Sequence, residues 1–297
     1  MTTQQTIKQA GGSLWYEAWI RFRRNKLAMV GLFMVVTILA IAIFAPLVAP
    51  HDPLKQLIWT EGKAAKLAVP SANHLMGTDL YGRDILSRII YGARISLQIG
   101  IFSTLVSLLL GVPLGAMAGY FGGKVDDFVS WIINVIFAFP FLLFVLAVVA
   151  VFKNPSMVVV YVAIGVVQWV SIARVIRAQF IYLREREFVE AAKALGLPTW
   201  RIVFVHILPN ALAPVIVQAT LGMGGIILLE AGLAFLGFGA QPPTPSWGLM
   251  ISEGQKYLGQ GIWWWAVFPG LAIMYTVLGF NFLGDGLRDA LDVRLKR

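Results

Sequence analysis

The chain has 297 residues, of which 58% are hydrophobic and only 13% are charged. Soluble domains average about 25% charged residues, so this composition excludes an ordinary soluble protein and indicates a membrane protein. Cysteine is absent and the formal net charge is +9, so disulfides, thiolate catalysis and cysteine-based metal sites are excluded.

Six uncharged runs are long enough to be membrane spans, because about 20 apolar residues cross a bilayer. They are residues 27–50, 95–119, 128–152, 157–173, 211–229 and 262–284. The first run is too long for the apolar part of a signal peptide and follows a hydrophilic leader, so it predicts an uncleaved helix. The sequence therefore predicts an all-α membrane protein with six transmembrane helices.

The distribution of basic residues predicts the orientation of these spans. Six spans place both termini on one side of the membrane. About two thirds of the 24 Lys and Arg residues fall on that side, and most of the others lie in one long loop, where the charge rule is weak. Both termini are therefore predicted to be cytoplasmic. The topology alone explains the positive charge, so no nucleic-acid partner is expected.

The chain divides into five segments. They are a cytoplasmic leader (1–26), the first transmembrane helix (27–50), an external loop with an amphipathic helix (51–94), a membrane domain with five helices and a cytoplasmic loop at 178–210 (95–286), and a cytoplasmic tail (287–297). In the external loop, Asp84 and Arg88 are four residues apart and are expected to pair on a helix face. Pro140 is expected to kink the third span.

Two further features of the spans carry expectations. Trp263, Trp264 and Trp265 open the last span and predict an aromatic belt at the outer membrane surface. Five glycines inside the spans are explained by close helix packing: Gly115, Gly119, Gly222, Gly224 and Gly225.

The cytoplasmic stretch "EFVEAAKALGLPTWRIVFVHILPN", residues 187–210, interrupts the apolar pattern. It predicts a short helix over 186–195 that ends at Gly196, a residue suited to the left-handed position after a helix. A second helix is expected from Thr199, as its cap, to about Leu208. Pro209 is expected to end that helix, and Asn210 to cap the fifth span.

The surface of this stretch permits two interpretations. Ala191, Ala192 and Ala194 leave the first helix nearly bare, so another surface could approach it closely. Apolar residues of the second helix require burial, either against the chain's own spans or against a partner. A DNA-binding helix-turn-helix has similar Ala–Gly spacing, but the second helix lacks the polar side chains that read base edges.

No catalytic or metal-binding motif is present. The stretch "GYFGGKV" lacks the glycine spacing and the Ser or Thr of a phosphate-binding loop. The three histidines are far apart in sequence and form no His-Glu-x-x-His motif, so neither catalysis nor a metal site is expected. Glu230 is the one acidic residue in a long apolar stretch, and it predicts either a group on a translocation path or a structural hydrogen bond or subunit contact.

The stretch "EAAKALGLPTWRIVFVHILP" resembles the EAA loop of type I ABC importer permeases. The matching positions are Glu190, Ala191, Ala192, Gly196, Leu208 and Pro209. One departure is His206, where the general pattern has isoleucine. Three further stretches are similar to the dipeptide, oligopeptide and nickel branch of this family: "GTDLYGRDILSRIIYGARISL", "AGYFGG" and "FLGFGAQPPTPSWG". Within that branch the chain resembles the C-type permease subunit.

This resemblance implies a multi-pass permease of a bacterial or archaeal inner membrane, in contact with lipid, with the type I importer fold. It implies inward transport of short peptides by alternating access, with nickel or glutathione as alternatives and an autonomous channel or carrier as the rival class. The implied partners are a second homologous permease subunit forming a heterodimer, two ABC ATPase subunits that bind ATP and Mg²⁺, and an extracytoplasmic substrate-binding protein. The EAA residues would form the coupling loop to the ATPase.

Overall fold

The computed structural model describes residues 14–59, 62–152 and 156–291. Within these ranges the chain is helical and has no β-strand, only an isolated bridge between Thr78 and Asp84. The α-helices are α1 (Leu14–Arg24), α2 (Lys26–Ile43), α3 (Ala45–Val48), α4 (Ile85–Phe121), α5 (Gly123–Phe137), α6 (Phe141–Ala150), α7 (Met157–Leu183), α8 (Glu187–Ala194), α9 (Thr199–Arg201), α10 (Leu208–Phe235), α11 (Trp247–Gly254) and α12 (Trp264–Leu291). The other helical segments are 3-10 turns at Leu57–Trp59, Gly62–Ala65 and Gln255–Gln260 and a π-helical segment at Ile202–Ile207. The all-α prediction is confirmed.

Among the described residues, five helical runs are long and apolar enough to cross a membrane. They are α2, α4, α7, the run Thr199–Phe235 and α12. Helices α5 and α6 pass the same test together but are bent by 91°. Counted as one broken span, this pair completes the six predicted spans.

The break between α5 and α6 is more severe than the predicted kink. Pro140 is the residue that precedes α6, with a non-helical ψ of 123°. Proline lacks the N–H that would continue the helical ladder and disfavours helical backbone at the residue before it. The third span is therefore two helices that meet at a sharp angle rather than one bent helix.

Several helices extend beyond the uncharged runs found in the sequence. The second run, 95–119, lies within α4, which begins at Ile85 and includes the helix expected in the external loop. The fourth run, 157–173, lies within α7, which continues past two arginines to Leu183. A charge ends an apolar run, but it does not end a helix when the charged group reaches water or a partner. The predicted leader and tail contain α1 and the end of α12, while residues 1–13 and 292–297 lie outside the described ranges.

Helices α4 and α7 pack with their backbones close together. A Cβ atom on Gly119 would lie 2.6 Å from the carbonyl oxygen of Arg177 and 2.6 Å from Cβ of Phe180. Gly115 meets α7 as closely, one turn earlier, so close packing is confirmed at both positions. At Gly225 a Cβ would meet nothing within 4 Å, so that glycine does not mediate packing within this chain.

The external segment folds over the outer ends of the spans together with α11, and its charges pair differently from the prediction. The expected pair of Asp84 with Arg88 is wrong. Asp84 is the N-cap of α4 and accepts a hydrogen bond of 2.8 Å from the Ser87 amide. A capping side chain turns back to the first-turn amides rather than along the helix face. Arg88 instead lies 3.7 Å from the carboxylate of Asp79.

Of the three tryptophans predicted to form an aromatic belt, only Trp263 is exposed. Trp264 and Trp265 are buried. The Trp264 indole N–H donates to the carbonyl of Thr78 at 3.2 Å, and the Trp265 ring stacks on Tyr257. The external segment covers this end of α12, so two of the three tryptophans pack against protein.

Candidate functional site

The cytoplasmic segment begins with α8, whose C-terminal end is fixed by the backbone. Gly196 has a left-handed φ of 70°. Its amide donates to the carbonyl of Lys193 at 2.9 Å, and the Leu197 amide donates to the carbonyl of Ala192 at 3.2 Å. These two bonds form a Schellman ending. The predicted helix end at Gly196 is confirmed, and Pro198 follows it in an extended conformation.

One face of the segment is anchored to the membrane helices. Val189 and Ala192 of α8 are buried in a single cluster that includes Phe180 of α7. Ile202 and Ile207, from the second half of the segment, belong to the same cluster. Ala192 is therefore a packing residue, and a larger side chain there would push α8 away from α7.

The other face of the segment is open. Glu190, Ala191 and Gly196 are exposed. Large apolar side chains are exposed as well, with Leu195 at 80% and Trp200 at 63% of their full accessibility. Exposed apolar surface of this kind marks an interaction site. The anchored face packs against the chain's own spans, as one interpretation of the sequence requires, and the opposite face is free for the contact with a partner that the other interpretation requires.

The predicted helix break at Pro209 is wrong. The chain is helical without a break over Thr199–Phe235, and Pro209 lies in the first turn of α10. The π-helical segment just before it makes this possible, with the Leu208 amide donating to the carbonyl of Val203, five residues back. A wider turn accommodates the proline ring, which would clash with the carbonyl four residues earlier in a regular helix.

The two predicted caps are also wrong. Thr199 makes no capping hydrogen bond, and Pro198 is the residue before the helix. The Asn210 side chain donates to the carbonyl of His206 at 2.7 Å within the continuous helix. No new helix begins at Asn210, so its amide satisfies a backbone group of the preceding turn instead.

Two arginine contacts connect the base of this segment to the bundle, and the sequence analysis did not single them out. Arg177 of α7 forms a two-point salt bridge with Asp126 of α5, in which Nη2 lies 2.7 Å from Oδ2. Arg184, the residue after α7, donates to the carbonyl of Gly119 at 3.1 Å. From the sequence alone, these arginines served only to predict which side of the membrane is cytoplasmic. Their contacts fix the end of α7 from which α8 starts.

Glu230 lies in α10 and is 1% exposed. Its carboxylate oxygens make no hydrogen bond within the described part of the chain. It is about 33 Å along the helix from Leu208 at about 1.5 Å per residue, so Glu230 and the EAA positions lie at separate places. Of the EAA positions, the structure brings Ala192 and Leu208 into one cluster, and Glu230 lies apart from them.

The three histidines are not as separate as the sequence suggests. The rings of His51 and His74 lie with their centroids 4.9 Å apart in the external segment. His206 lies at the opposite side of the membrane, in the π-helical segment. The expectation that distance in sequence keeps the histidines apart is thus wrong for His51 and His74, because the external loop folds back on itself.

A helical bundle with an exposed helical segment between two spans is typical of the membrane subunit of a type I ATP-binding-cassette importer. The chain belongs to the family of binding-protein-dependent transport system inner membrane components, whose profile matches residues 111–297. The N-terminal transmembrane domain of oligopeptide transport permease C matches residues 13–61. The predicted family and the multi-pass inner-membrane location are confirmed. The members of this family are transport components rather than enzymes.

The similarity to known proteins extends over nearly the whole chain. The dipeptide transport system permease protein DppC of Alkalihalophilus pseudofirmus is 47% identical over 284 residues, covering 96% of this chain and 91% of that protein. The protein of the same name in Escherichia coli is 47% identical over 287 residues, covering 95% and 93%. A solved structure of the MetNI methionine ABC transporter matches with a TM-score of 0.55 at 19% identity, over 70% of this chain and 98% of that one. The last match supports the fold alone.

Proposed function

We propose that this chain is the peptide-translocating membrane subunit of an ATP-driven importer and works by alternating access. The names of the two similar permeases support short peptides as the cargo, and they give nickel and glutathione less support. In this proposal the chain forms a heterodimer with a second homologous permease. Two ATPase subunits bind ATP and Mg²⁺, and an extracytoplasmic binding protein delivers the substrate.

The proposed contact with the ATPase is the coupling segment, residues 187–209. The observation that carries it is the pair of faces described above, one anchored to α7 and the other open with Leu195 and Trp200 exposed. Glu190 lies on the open side and has no ion-pair partner among the described residues, so its carboxylate is available to a cation on another chain. Because the buried face of α8 packs against α7, a movement of the partner at the open face is transmitted to the membrane spans.

A charge on the open face tests this contact. Leu195→Asp leaves the folded chain unaffected, because the side chain is 80% exposed, but places a desolvated carboxylate in the proposed interface. We expect the variant to assemble with the second permease and to lose both uptake and substrate-stimulated ATP hydrolysis. Leu75→Asp is the matched control, since Leu75 is 64% exposed on the external segment. It should retain uptake and substrate-stimulated ATP hydrolysis, and unchanged uptake and stimulation in Leu195→Asp would contradict the proposal.

The helix end offers a second test. Gly196 has φ near 70°, whereas proline requires φ near −65°, and its amide donates a hydrogen bond that proline cannot make. We expect Gly196→Pro to abolish coupled transport while the two permeases still assemble. Unchanged uptake and unchanged ATPase stimulation would refute the role of this helix end.

Glu230 is the proposed path residue. Its support is a carboxylate in a span with no hydrogen bond to the described residues, which is costly and typical of functional groups in membranes. A role on the path requires that the transport cycle expose it. A Glu230→Gln variant should transport with an altered dependence on substrate concentration. Normal transport at every substrate concentration would remove this role and leave a structural one.

The rival class, an autonomous channel or ion-driven carrier, makes the opposite prediction in liposomes. An importer subunit alone conducts no substrate, and flux appears only with its partners, ATP and the binding protein. Substrate flux through liposomes that contain this chain alone would favour the rival.

A further inference from the structure

The external segment brings two histidines and an aspartate together, and we propose that they form a binding site for a divalent transition-metal ion such as Zn²⁺. The residues are His51, His74 and Asp84, and one ligand atom from each lies within 4.8 Å of the other two. Imidazole is a ligand that suits these metals, and a carboxylate behind a ligating imidazole holds the ring in position. The site is separate from the coupling segment and from Glu230, on the opposite side of the membrane from the former.

His74 is held ready to bind by Asp84. The ring is largely buried, and its Nδ1 lies 2.9 Å from Oδ1 of Asp84. A carboxylate accepts hydrogen bonds, so this contact places the ring proton on Nδ1 and leaves the lone pair on Nε2. Metal-binding histidines are oriented in this manner by a carboxylate or carbonyl behind the ring.

His51 is oriented by a similar contact. Its Nε2 lies 3.0 Å from the backbone carbonyl of Asn73, which also only accepts hydrogen bonds. The proton is therefore on Nε2 and the lone pair on Nδ1. No donor among the described residues reaches the second nitrogen of either ring. Two imidazoles in contact, each with an unused lone pair, are the arrangement that a metal ion can bridge.

Asp84 links the two histidines through a second route. Its Oδ2 accepts from the Ser87 hydroxyl at 2.7 Å, and that hydroxyl accepts from the His51 amide at 3.0 Å. The carboxylate therefore fixes one ring directly and the backbone of the other through Ser87. Asp84 is itself held at the start of α4, a rigid element. Both histidines are therefore positioned by the same fixed carboxylate.

The surroundings favour a cation and give it access. The three groups line an open cleft of about 490 Å³ together with Asp52 and Lys55. With neutral histidines the charged lining residues are Asp52, Asp84 and Lys55, a net charge of −1. Ligand nitrogens bound to zinc at about 2.0–2.1 Å lie about 3.3 Å apart. The exposed His51 ring is the group that would move to bring its nitrogen to this separation.

The composition of the chain allows a direct test. It contains three histidines and no cysteine, so two of the three imidazoles are in the proposed site. The full chain, purified with its partner subunits through a tag without histidine, is stripped of metal and titrated with Zn²⁺ by calorimetry, against the same complex carrying His51→Ala, His74→Ala or His206→Ala in this chain. We expect wild type and His206→Ala to share one binding event that His51→Ala and His74→Ala weaken more than tenfold. Asp84→Asn should weaken it about 10–100-fold, the usual effect of removing a group behind a ligand.

A measurement on the wild-type protein keeps the proposal independent of the folding of the variants. X-ray absorption at the zinc edge should show two imidazole ligands from a complex loaded with one equivalent of Zn²⁺ per copy of this chain. Zinc affinity that is equal in wild type and His51→Ala, or an absorption spectrum without imidazole scattering, would overturn the proposal.

Discussion

The tight contact between α4 and α7 predicts a large effect from adding one methyl group. In Gly119→Ala the new Cβ would lie 2.6 Å from the carbonyl oxygen of Arg177 and 2.6 Å from Cβ of Phe180. The first of these is a backbone atom, so relief requires the two helices to separate. Forced overpacking costs about 1–3 kcal/mol, and the better helix propensity of alanine returns at most about 1 kcal/mol.

Because the close contact is with a backbone atom, the cost of Gly119→Ala lies in the upper part of that range, about 2–3 kcal/mol, and the propensity gain leaves a net loss of about 1–2 kcal/mol, or about a 5- to 30-fold change in the folded-to-unfolded ratio. Gly225→Ala is the matched control, because its Cβ would meet nothing within 4 Å and only the propensity gain remains. The assay is reversible unfolding of the purified chain in mixed micelles, followed by tryptophan fluorescence. Equal stability of the two alanine variants would refute the close packing of α4 on α7.

Three further predictions follow from individual contacts. Pro209→Ala should leave the helical content unchanged in circular dichroism, because the helix already passes through Pro209, and a change in helical content would restore the proline as a helix break. Asp126→Asn should destabilise the chain by about 1 kcal/mol through loss of the salt bridge with Arg177, measured by the same unfolding assay, whereas the exposed neighbour Asp127→Asn should have no effect. Burial raises the pKa of Glu253 above its usual 4.5, so the stability contributed by this group is complete at lower pH and declines as the pH rises through the raised pKa. The difference in thermal midpoint between wild type and Glu253→Gln should therefore change from about pH 4 to about pH 8, and a constant difference would contradict the shift.

The sequence predicted those features that depend on one short stretch of residues. Apolar runs located the spans, because a bilayer requires about 20 apolar residues in a row. The end of α8 was predictable from Gly196, because a left-handed residue after a helix strongly favours glycine. The burial of Ile202 and Ile207 followed from their apolar character at a water-facing position.

The features that the sequence missed depend on residues distant in the chain or on local competition. His51 and His74 meet because the external loop folds back, which no short pattern encodes. Pro209 was expected to end a helix, but the π-helical segment before it removes the clash. Asp84 had two available partners, and the amides of the first turn of α4 prevailed over Arg88.

In the proposed function, the open face of the coupling segment contacts an ATP-hydrolysing subunit. The chain has no cysteine, so Leu195→Cys introduces a single reactive thiol on that face. In the assembled transporter, a short thiol-to-amine cross-linker should join this position to an ATPase subunit, in a yield that changes when ATP is bound. Leu75→Cys, on the external segment, should give no such product. An ATPase cross-link that is absent from Leu195→Cys, or equally strong from Leu75→Cys, would contradict this contact.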